Sequence, residues 1–367
     1  MISKKPFDFG IFIVILILLV FGILMVFSAS SPAALNEKGN SYYYLTRQLA
    51  WAVIGLICML VVSKIDYRFW GKLSGILYFV SIALLLIVLI PHIGVEKNGA
   101  RRWINLGFTE FQPSEIVKLS IIIFFSYRLA KAKDLLNSFS KGFMPYVLRL
   151  GLIGGLLLLQ PHMSSAGVII LVGMILLFIA GARIWHFIVL ALPALSLGAL
   201  AIFLSPYRLQ RVTSFLNPWN DPKGDGWQII QSLLAIGSGG LFGVRFGQSR
   251  QKFLYIPEPH NDFIFSILAE ELGYIGVVTV LILFLIFIWR GIRIAMHAPD
   301  TFGSLLAAGI TSLVAIQTVI NVAVVTSSVP VTGMPLPLFS YGGSYLLFLM
   351  IGMGILLNIS RNANYKN

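Results

Sequence analysis

Charged residues are scarce in this chain: Asp, Glu, Lys and Arg make up 11% of its 367 residues. A soluble globular protein carries about 25% charged residues. Hydrophobic residues reach 57%, and the mean hydropathy is +0.88. So little polar surface excludes a disordered chain, a nucleic-acid-binding domain and an ordinary soluble enzyme. An integral membrane protein is the predicted class.

The chain has only one cysteine, and it lacks several common catalytic motifs. The single cysteine, Cys58, lies in an apolar run, so no intrachain disulfide is possible. The sequence has no Walker loop, HExxH helix, CxxC pair or nucleophile elbow, which argues against nucleotide-driven transport and against hydrolases that use those motifs. No internal repeat is evident, and this weakly disfavours transporters built from inverted repeats.

Apolar runs of membrane-spanning length recur along the chain. They predict an all-α, polytopic integral membrane protein with about ten transmembrane helices, forming a single domain over residues 1–367. The first run is too long and too rich in Ile and Leu for a typical signal peptide, so we interpret it as a retained span. The runs are 9–27, 47–63, 73–91, 114–130, 146–160, 165–181, 184–204, 263–289, 303–327 and 342–360.

Lysines and arginines are unevenly distributed among the loops of this chain, whose net charge is +13. If the N-terminus faces the cytoplasm, the loops on that side hold most of the basic residues and few of the acids. The positive-inside rule then predicts an N-in and C-in orientation. The excess positive charge is expected to contact anionic lipid rather than nucleic acid.

Two long polar segments would then face outwards. One covers residues 91–113, and the other is a large loop at about 205–261, between the seventh and eighth transmembrane helices. Within the large loop, residues 226–240 have apolar side chains at helical spacing. This spacing predicts a helix, which either lies along the membrane surface or is an ordinary loop helix.

Cations collect on the predicted outer side. Arg101 and Arg102 are adjacent in the first outer segment, and Arg208 and Arg211 lie in the large loop. Basic residues outside oppose the positive-inside trend. They indicate either a phosphate-bearing partner or a solvated protein surface.

An acid and a base open the fourth predicted helix. Glu115 suits the positive end of the helix dipole, and Lys118 follows three residues later on the same helix face, so the two can pair. Two interpretations stay open. The pair either allows both charges to enter the membrane, or Lys118 binds an anionic substrate while Glu115 holds it in place.

Acids also crowd the start of the eighth predicted helix. Glu258, His260 and Asp262 share one outer rim, and Glu270 and Glu271 follow deeper in the helix. An aspartate at a helix start is commonly a cap. Burial and neighbouring like charges would instead raise its pKa towards the range of a general base. Glu270 and Glu271 are expected to be structural, paired with a base on another helix.

Proline and glycine interrupt the last outer loop, PVTGMPLPLFSYGGSY, at residues 330–345. Irregular backbone at membrane depth occurs only where it is shielded or lines a cavity. Its free amides could bind anionic oxygens, or the segment could be a simple re-entrant turn. The residues of interest are Ser340, Tyr341, Gly342 and Gly343.

Four long strings in these regions carry a resemblance to a known family. They are GARRWINLGFTEFQPSEIVKL, YRLQRVTSFLNPWNDPKGDGWQIIQSLLAIGSGGLFG, PEPHNDFIFSILAEELG and PVTGMPLPLFSYGGS. The chain resembles the SEDS proteins (shape, elongation, division and sporulation), the polytopic peptidoglycan glycosyltransferases of bacteria. NPWNDP and GDGWQIIQS look more like the division-type member FtsW and its sporulation relative SpoVE than like the rod-shape member RodA.

The resemblance implies an active site on the outer face of the bacterial plasma membrane, with Asp262 as the catalytic carboxylate. Lipid II would be polymerised into β-1,4-linked glycan, with release of undecaprenyl pyrophosphate, at the division septum. The implied partners are a class B penicillin-binding protein transpeptidase and other proteins of the division or elongation complex. A divalent cation, Mg²⁺ or Mn²⁺, would assist, and no nucleotide is needed. The expected substrate-binding residues are Arg101, Arg102, Glu115, Lys118, Arg208, Arg211, Ser340, Tyr341, Gly342 and Gly343.

The chain departs from the family pattern at one place. Many members carry Gln/Glu-Pro-Asp-x-Gly after the fifth helix, whereas this chain has QPHMS at residues 160–164. A role of that aspartate is therefore not carried over to His162. Two other functions remain open: a flippase that moves lipid II across the membrane, and a scaffold that only recruits division proteins.

Overall fold

The computed structural model describes residues 6–97, 99–105, 107, 110–204, 206–224, 226–253 and 255–364. These residues form α-helices joined by loops of different lengths, with one small sheet at one end of the bundle. The helices are α1 (Phe9–Lys38), α2 (Tyr43–Val62), α3 (Tyr67–Ile87), α4 (Pro113–Lys131), α5 (Met144–Leu159), α6 (Met163–Ile179), α7 (Ile184–Phe203), α8 (Pro206–Leu216), α9 (Trp227–Gly239), α10 (Ile264–Met296), α11 (Thr301–Val325) and α12 (Gly343–Asn362).

Each of the ten apolar runs coincides with a helix, namely α1–α7 and α10–α12. Among the described residues, seven helical stretches are long and apolar enough to cross a membrane: α1, α2, α3, residues 139–159, α10, α11 and α12. Two further apolar helices, α6 and α7, are shorter in their apolar parts, and α4 carries charged side chains. The polytopic, mostly helical membrane fold is therefore confirmed. The number of crossings and the N-in orientation stay predictions.

The centre of the bundle is formed by α4, α11 and α12, whose residues are mostly buried. Extensive packing joins α12 to α2, α10 to α11, and α3 to α4. The 25 residues of α11 separate two ends of the bundle by about 37 Å, at 1.5 Å per residue. We name these the Asp300 end, where α11 begins, and the Asp262 end, where α11 finishes.

Ion pairs fasten the Asp300 end. Asp300 caps α11 through the amide of Gly303 at 2.7 Å, and its carboxylate also accepts a hydrogen bond from Tyr67 and pairs with Arg68 at 3.0 Å. Arg290 of α10 pairs with Asp8, the N-cap of α1, at 2.6 Å. These contacts fix the helix starts that the apolar pattern alone leaves undefined.

A three-stranded antiparallel sheet lies at the Asp262 end. Its strands are β1 (Gly94–Lys97), β2 (Ala100–Asn105) and β3 (Glu110–Phe111), in the order β1-β2-β3, with Glu96 opposite Arg101. The sequence did not predict this sheet, because its strands are short and do not alternate between apolar and polar residues. It is a small addition to the expected all-α fold.

The helix expected at 226–240 is confirmed as α9, and it is not a loose surface helix. It packs against α10 and buries Ile229, Ile230 and Ala235. The hydroxyl of Ser232 lies 2.7 Å from that of Ser266 in α10 and donates to the carbonyl of Val325 in α11. The apolar face of α9 is therefore turned into the protein.

Helix α10 is broken at Gly273, whose φ of 65° and ψ of −166° are accessible almost only to glycine. The break frees backbone groups, and the segment that follows α9 satisfies them. The amides of Tyr274 and Ile275 donate to the carbonyls of Gly240 and Leu241, and the carbonyl of Glu270 accepts from Val244. Irregular backbone is thus shielded by protein, as membrane depth requires.

Replacing Gly273 by alanine is expected to lower the free energy of unfolding by about 1–3 kcal/mol, because the residue would hold an unfavourable φ and its Cβ would overlap the backbone of Gly243. The measurement is the melting temperature of the purified protein in detergent. Gly155→Ala on α5 is the matched control, since a Cβ there meets open space. Equal melting temperatures for both variants would contradict the observed break.

Candidate active site

Two loops meet at the Asp262 end and form one platform. We call residues 255–263 the Asp262 loop and residues 326–342 the α11–α12 loop. The buried hydroxyl of Ser340 donates to the carbonyl of Asn261 at 2.7 Å and accepts from the amide of Leu336 at 2.8 Å. The amide of Tyr341 donates to the carbonyl of His260 at 2.9 Å. The proline- and glycine-rich loop therefore shapes the segment that carries Asp262.

Asn321, on α11, holds the same two loops through hydrogen bonds. Its side-chain amide donates to the carbonyl of Asp262 at 2.8 Å and to the carbonyl of Met334 at 2.7 Å, and the residue is fully buried. Asn321 was not among the residues expected from the sequence. The available signal was two carboxamides, Gln317 and Asn321, one helical turn apart in an apolar span, where polar side chains are costly and often functional.

The Asp262 carboxylate is largely enclosed by protein while part of its surface stays accessible. The pKa of Asp262 is raised to about 6, chiefly by burial and also by the negative charge of Glu258, while the positive charge of Arg102 acts in the opposite direction. Gly333, at φ 69°, lies beside the carboxylate, and a Cβ at this position would lie 3.2 Å from Oδ2. Glycine thus leaves room next to the acid. A carboxylate tuned to about pH 6 suits a general base.

The two adjacent arginines of β2 go to different places. Arg102 donates from Nε to the carbonyl of Gln160 at 3.3 Å and from Nη2 to the carbonyl of Pro161. Its guanidinium therefore sits on the carboxyl end of α5, where a cation is favoured. Arg101 pairs with Glu96 of β1 at 3.1 Å, with both side chains largely exposed. The charge of Arg102 acts on Asp262 and lowers its pKa.

His162 lies immediately before α6, at the position where many members of the family have aspartate. Its Nε2 lies 3.0 Å from the hydroxyl of Ser165. The pKa of His162 is lowered to about 3, chiefly by burial and also by the charges of Arg102 and Lys118. The imidazole is therefore neutral at physiological pH. It supplies no negative charge to offset Arg102.

The predicted pairing of Glu115 and Lys118 is confirmed. Both side chains are buried, and Lys118 Nζ lies 2.8 Å from Glu115 Oε1. They line a cavity of about 20 Å³ together with Gln317 and Tyr345. This volume holds about one water molecule and no sugar or diphosphate. The geometry directly supports the interpretation as an internal ion pair.

The α11–α12 loop uses its backbone amides within the protein. The amide of Gly342 donates to the side chain of Gln48 at 3.4 Å, and a Cβ on Gly343 would overlap the ring of Trp51. The Tyr341 ring lies edge-on to Tyr44, with a centroid distance of 5.0 Å. Substrate contact by these residues stays a prediction.

The remaining predicted residues divide into two groups. Arg208 and Arg211 lie on α8, and their side chains are outside the described part of the structure. Glu271 does pair with a base, but the base is Lys252 of the large loop rather than a residue on another helix. Glu270 instead accepts hydrogen bonds from Ser249, Arg250 and Gln251. Among the described residues, no three His, Cys, Asp or Glu side chains cluster closely enough to hold a metal ion by themselves.

Comparison with known proteins identifies the family. The family model for FtsW, RodA and SpoVE, described as "Cell cycle protein", matches residues 9–365. The chain belongs to this family. Stage V sporulation protein E of Bacillus subtilis (strain 168) is 47% identical over 367 residues, which cover 99% of each chain.

One further relative and one solved structure indicate the activity of the family. A probable peptidoglycan glycosyltransferase FtsW of Trichlorobacter lovleyi is 45% identical, covering 98% of this chain and 96% of that protein. A chain from a solved structure described as "Structural coordination of polymerization and crosslinking by a peptidoglycan synthase complex" is 30% identical. The two structures match over 100% of both chains with a TM-score of 0.82.

Removing one partner of the buried ion pair is expected to cost about 3–5 kcal/mol of stability, because the other charge stays buried and unpaired. Lys118→Met should therefore lower the melting temperature strongly, while Glu115→Gln combined with Lys118→Met should recover most of the loss. Thermal unfolding in detergent measures both. A double variant as unstable as Lys118→Met would show that the lysine does more than neutralise Glu115.

Proposed function

We propose that this chain polymerises lipid II into β-1,4-linked glycan strands on the outer face of the bacterial plasma membrane, with Asp262 as the general base. The single observation that carries the proposal is the enclosed carboxylate of Asp262, with its pKa raised to about 6 and a cation, Arg102, within electrostatic reach. The peptidoglycan glycosyltransferase activity assigned to the FtsW relatives supports this proposal.

The chemistry is an inverting glycosyl transfer. Asp262 takes the proton from the 4-hydroxyl of the acceptor GlcNAc. That oxygen forms a bond to C1 of the donor MurNAc as the bond from C1 to the undecaprenyl pyrophosphate breaks. Attack opposite the leaving group converts an α-linked donor into a β-1,4 product. A positioned base accelerates such a step by about 10²–10⁴-fold.

The leaving diphosphate needs positive charge as its own negative charge develops. Arg102 is a cation whose charge acts on Asp262, and we propose that it contacts the diphosphate. Arg101, Lys118, Arg208 and Arg211 are further proposed contacts. Lys118 would have to leave its ion pair with Glu115 to reach a substrate.

A divalent cation, Mg²⁺ or Mn²⁺, is compatible with the donors present. Mg²⁺ commonly binds through one or two carboxylates together with substrate phosphates. Glu258, a carboxylate on the same loop as Asp262, would hold the ion and leave Asp262 as the base. The ion would add positive charge against the diphosphate.

The proposed setting follows from the same relatives. The solved peptidoglycan synthase complex supports a class B penicillin-binding protein as the partner that cross-links the new glycan. Division-complex proteins and a septal location are further parts of the proposal, supported by the FtsW relatives. The lipid tails of substrate and product would stay in the bilayer while their sugars reach the Asp262 end.

Asp262→Asn is expected to abolish glycan synthesis from lipid II by the purified protein in detergent while the melting temperature is kept. Asp66→Asn is the matched control, because Asp66 only caps α3 and asparagine caps equally well. Detergent has no sidedness, so glycan formed there distinguishes a polymerase from a flippase. Near-normal product from Asp262→Asn would remove this residue from the role, and an inactive wild-type chain would favour the flippase or the scaffold.

The pH dependence has a definite sign. A base acts in its ionised form, so the rate of glycan synthesis should fall about tenfold per pH unit below about pH 6 and be level above it. Glu258→Gln removes a like charge and should move this acidic limb to lower pH, whereas Arg102→Gln should move it to higher pH. Glu37→Gln, an exposed acid on α1, is the control. Shifts of the opposite sign would contradict Asp262 as the titrating group.

A further inference from the structure

The part of α10 that follows Asp262 is a short, separate helix. We call residues 264–272 the half-helix. Gly273 ends it, and the chain beyond the break continues with its amides bonded to Gly240 and Leu241 instead of to the half-helix. The position of the half-helix is therefore not set by the rest of α10. Contacts at its two ends have to set it.

At the upper end, the contacts are those of the platform. Asn321 holds the carbonyl of Asp262, and Ser340 holds the carbonyl of Asn261. At mid-height, Ser266 contacts Ser232, which bonds to α11. These contacts fix one end and one side of the half-helix.

At the lower end, two adjacent carboxylates hold a turn of the large loop. Glu270 accepts hydrogen bonds from the amides of Arg250 and Gln251, at 2.9 and 3.3 Å, and from the hydroxyl of Ser249. Glu271 accepts from the amide of Ser249 at 3.3 Å. Both glutamates are buried.

Lys252 and Ser28 complete this network. Lys252 Nζ lies 2.9 Å from Glu271 Oε1, donates to the carbonyl of Gly247 at 2.6 Å, and lies 3.1 Å from the hydroxyl of Ser28. Ser28, on α1, donates to Glu271 at 2.6 Å. Three separate parts of the chain, α1, the large loop and the half-helix, are thus joined through one carboxylate.

Such a network is better explained by a role in positioning the half-helix than by a contribution to the stability of the fold. A buried ion pair rarely stabilises a fold more than apolar packing would, whereas its hydrogen bonds require one arrangement of the groups that it joins. Two turns of helix separate Glu270 from Asp262, so a rotation or shift at the lower end moves the upper end with it. A displacement of about 1 Å in a reacting group costs about 100-fold in rate.

We propose that Glu271, Lys252 and Ser28 are positioning residues for Asp262: their network fixes the height and rotation of the half-helix and so keeps the carboxylate at the sugar hydroxyl. The catalytic part of this inference rests on the proposed function. The structural part, that the network immobilises the half-helix, does not.

The test uses the full-length purified chain in detergent. Two variants leave no unpaired buried charge: Ser28→Ala, and Glu271→Gln combined with Lys252→Met. Lys223→Met, an exposed lysine of the same loop, is the control. Hydrogen exchange of the amides of residues 264–272 is measured without substrate, and kcat and KM are measured with lipid II.

Loss of the network should speed exchange of the half-helix amides about tenfold or more, because local opening becomes easier, while amides of residues 280–294 keep their protection. The kcat should fall about 10- to 100-fold with KM within about twofold, since positioning acts on the reacting group and not on binding. The control should match the wild type in all of these measurements.

Unchanged exchange in the double variant would overturn the proposal, and so would faster exchange with wild-type kcat. A general loss of stability predicts instead that exchange rises throughout the chain and that kcat and KM change together. If the wild-type chain makes no glycan, the proposed function fails, and the exchange measurement still decides whether the network holds the half-helix.

Discussion

The structure depends on one constraint: backbone polar groups at membrane depth must find partners inside the protein. Two irregular segments meet this requirement near Asp262. The break in α10 is filled by the chain that follows α9, and the α11–α12 loop is satisfied by Asn321, Ser340 and the Asp262 loop. A regular helix would satisfy the same backbone groups through its own hydrogen bonds. The irregular backbone instead needs partners from other segments, and it lies in the part of the fold that carries the Asp262 carboxylate.

Electrostatics at this place are set by a few long-range neighbours. Burial is the main reason that the pKa of Asp262 is raised to about 6, with the charge of Glu258 adding to this effect and the charge of Arg102 opposing it. Arg102 is itself fixed on the carboxyl end of α5, next to the neutral His162. The sheet, which carries Arg102, and the Asp262 loop, which carries Glu258, thus act together on one acid.

The sequence was sufficient for the helices, the family and the pairing of Glu115 with Lys118, because all of these follow from local patterns: apolar runs, long matching strings and a three-residue spacing. It was insufficient for Asn321, for Lys252 as the partner of Glu271 and for the break at Gly273. Those features depend on contacts between residues far apart in the chain, which no periodicity records. The short sheet was not predicted for a different reason, since its strands are too short to show an alternation of apolar and polar residues.

The tie between Ser340 and Asn261 also has a consequence for biosynthesis. The loop that carries Asp262 is synthesised before the residues that hold it, because Asn321 lies in α11 and Ser340 lies between α11 and α12. A polypeptide that ends before α11 therefore contains Asp262 without the side chains that fix its loop. Damage to the C-terminal end consequently acts on a loop that precedes it by more than one helix.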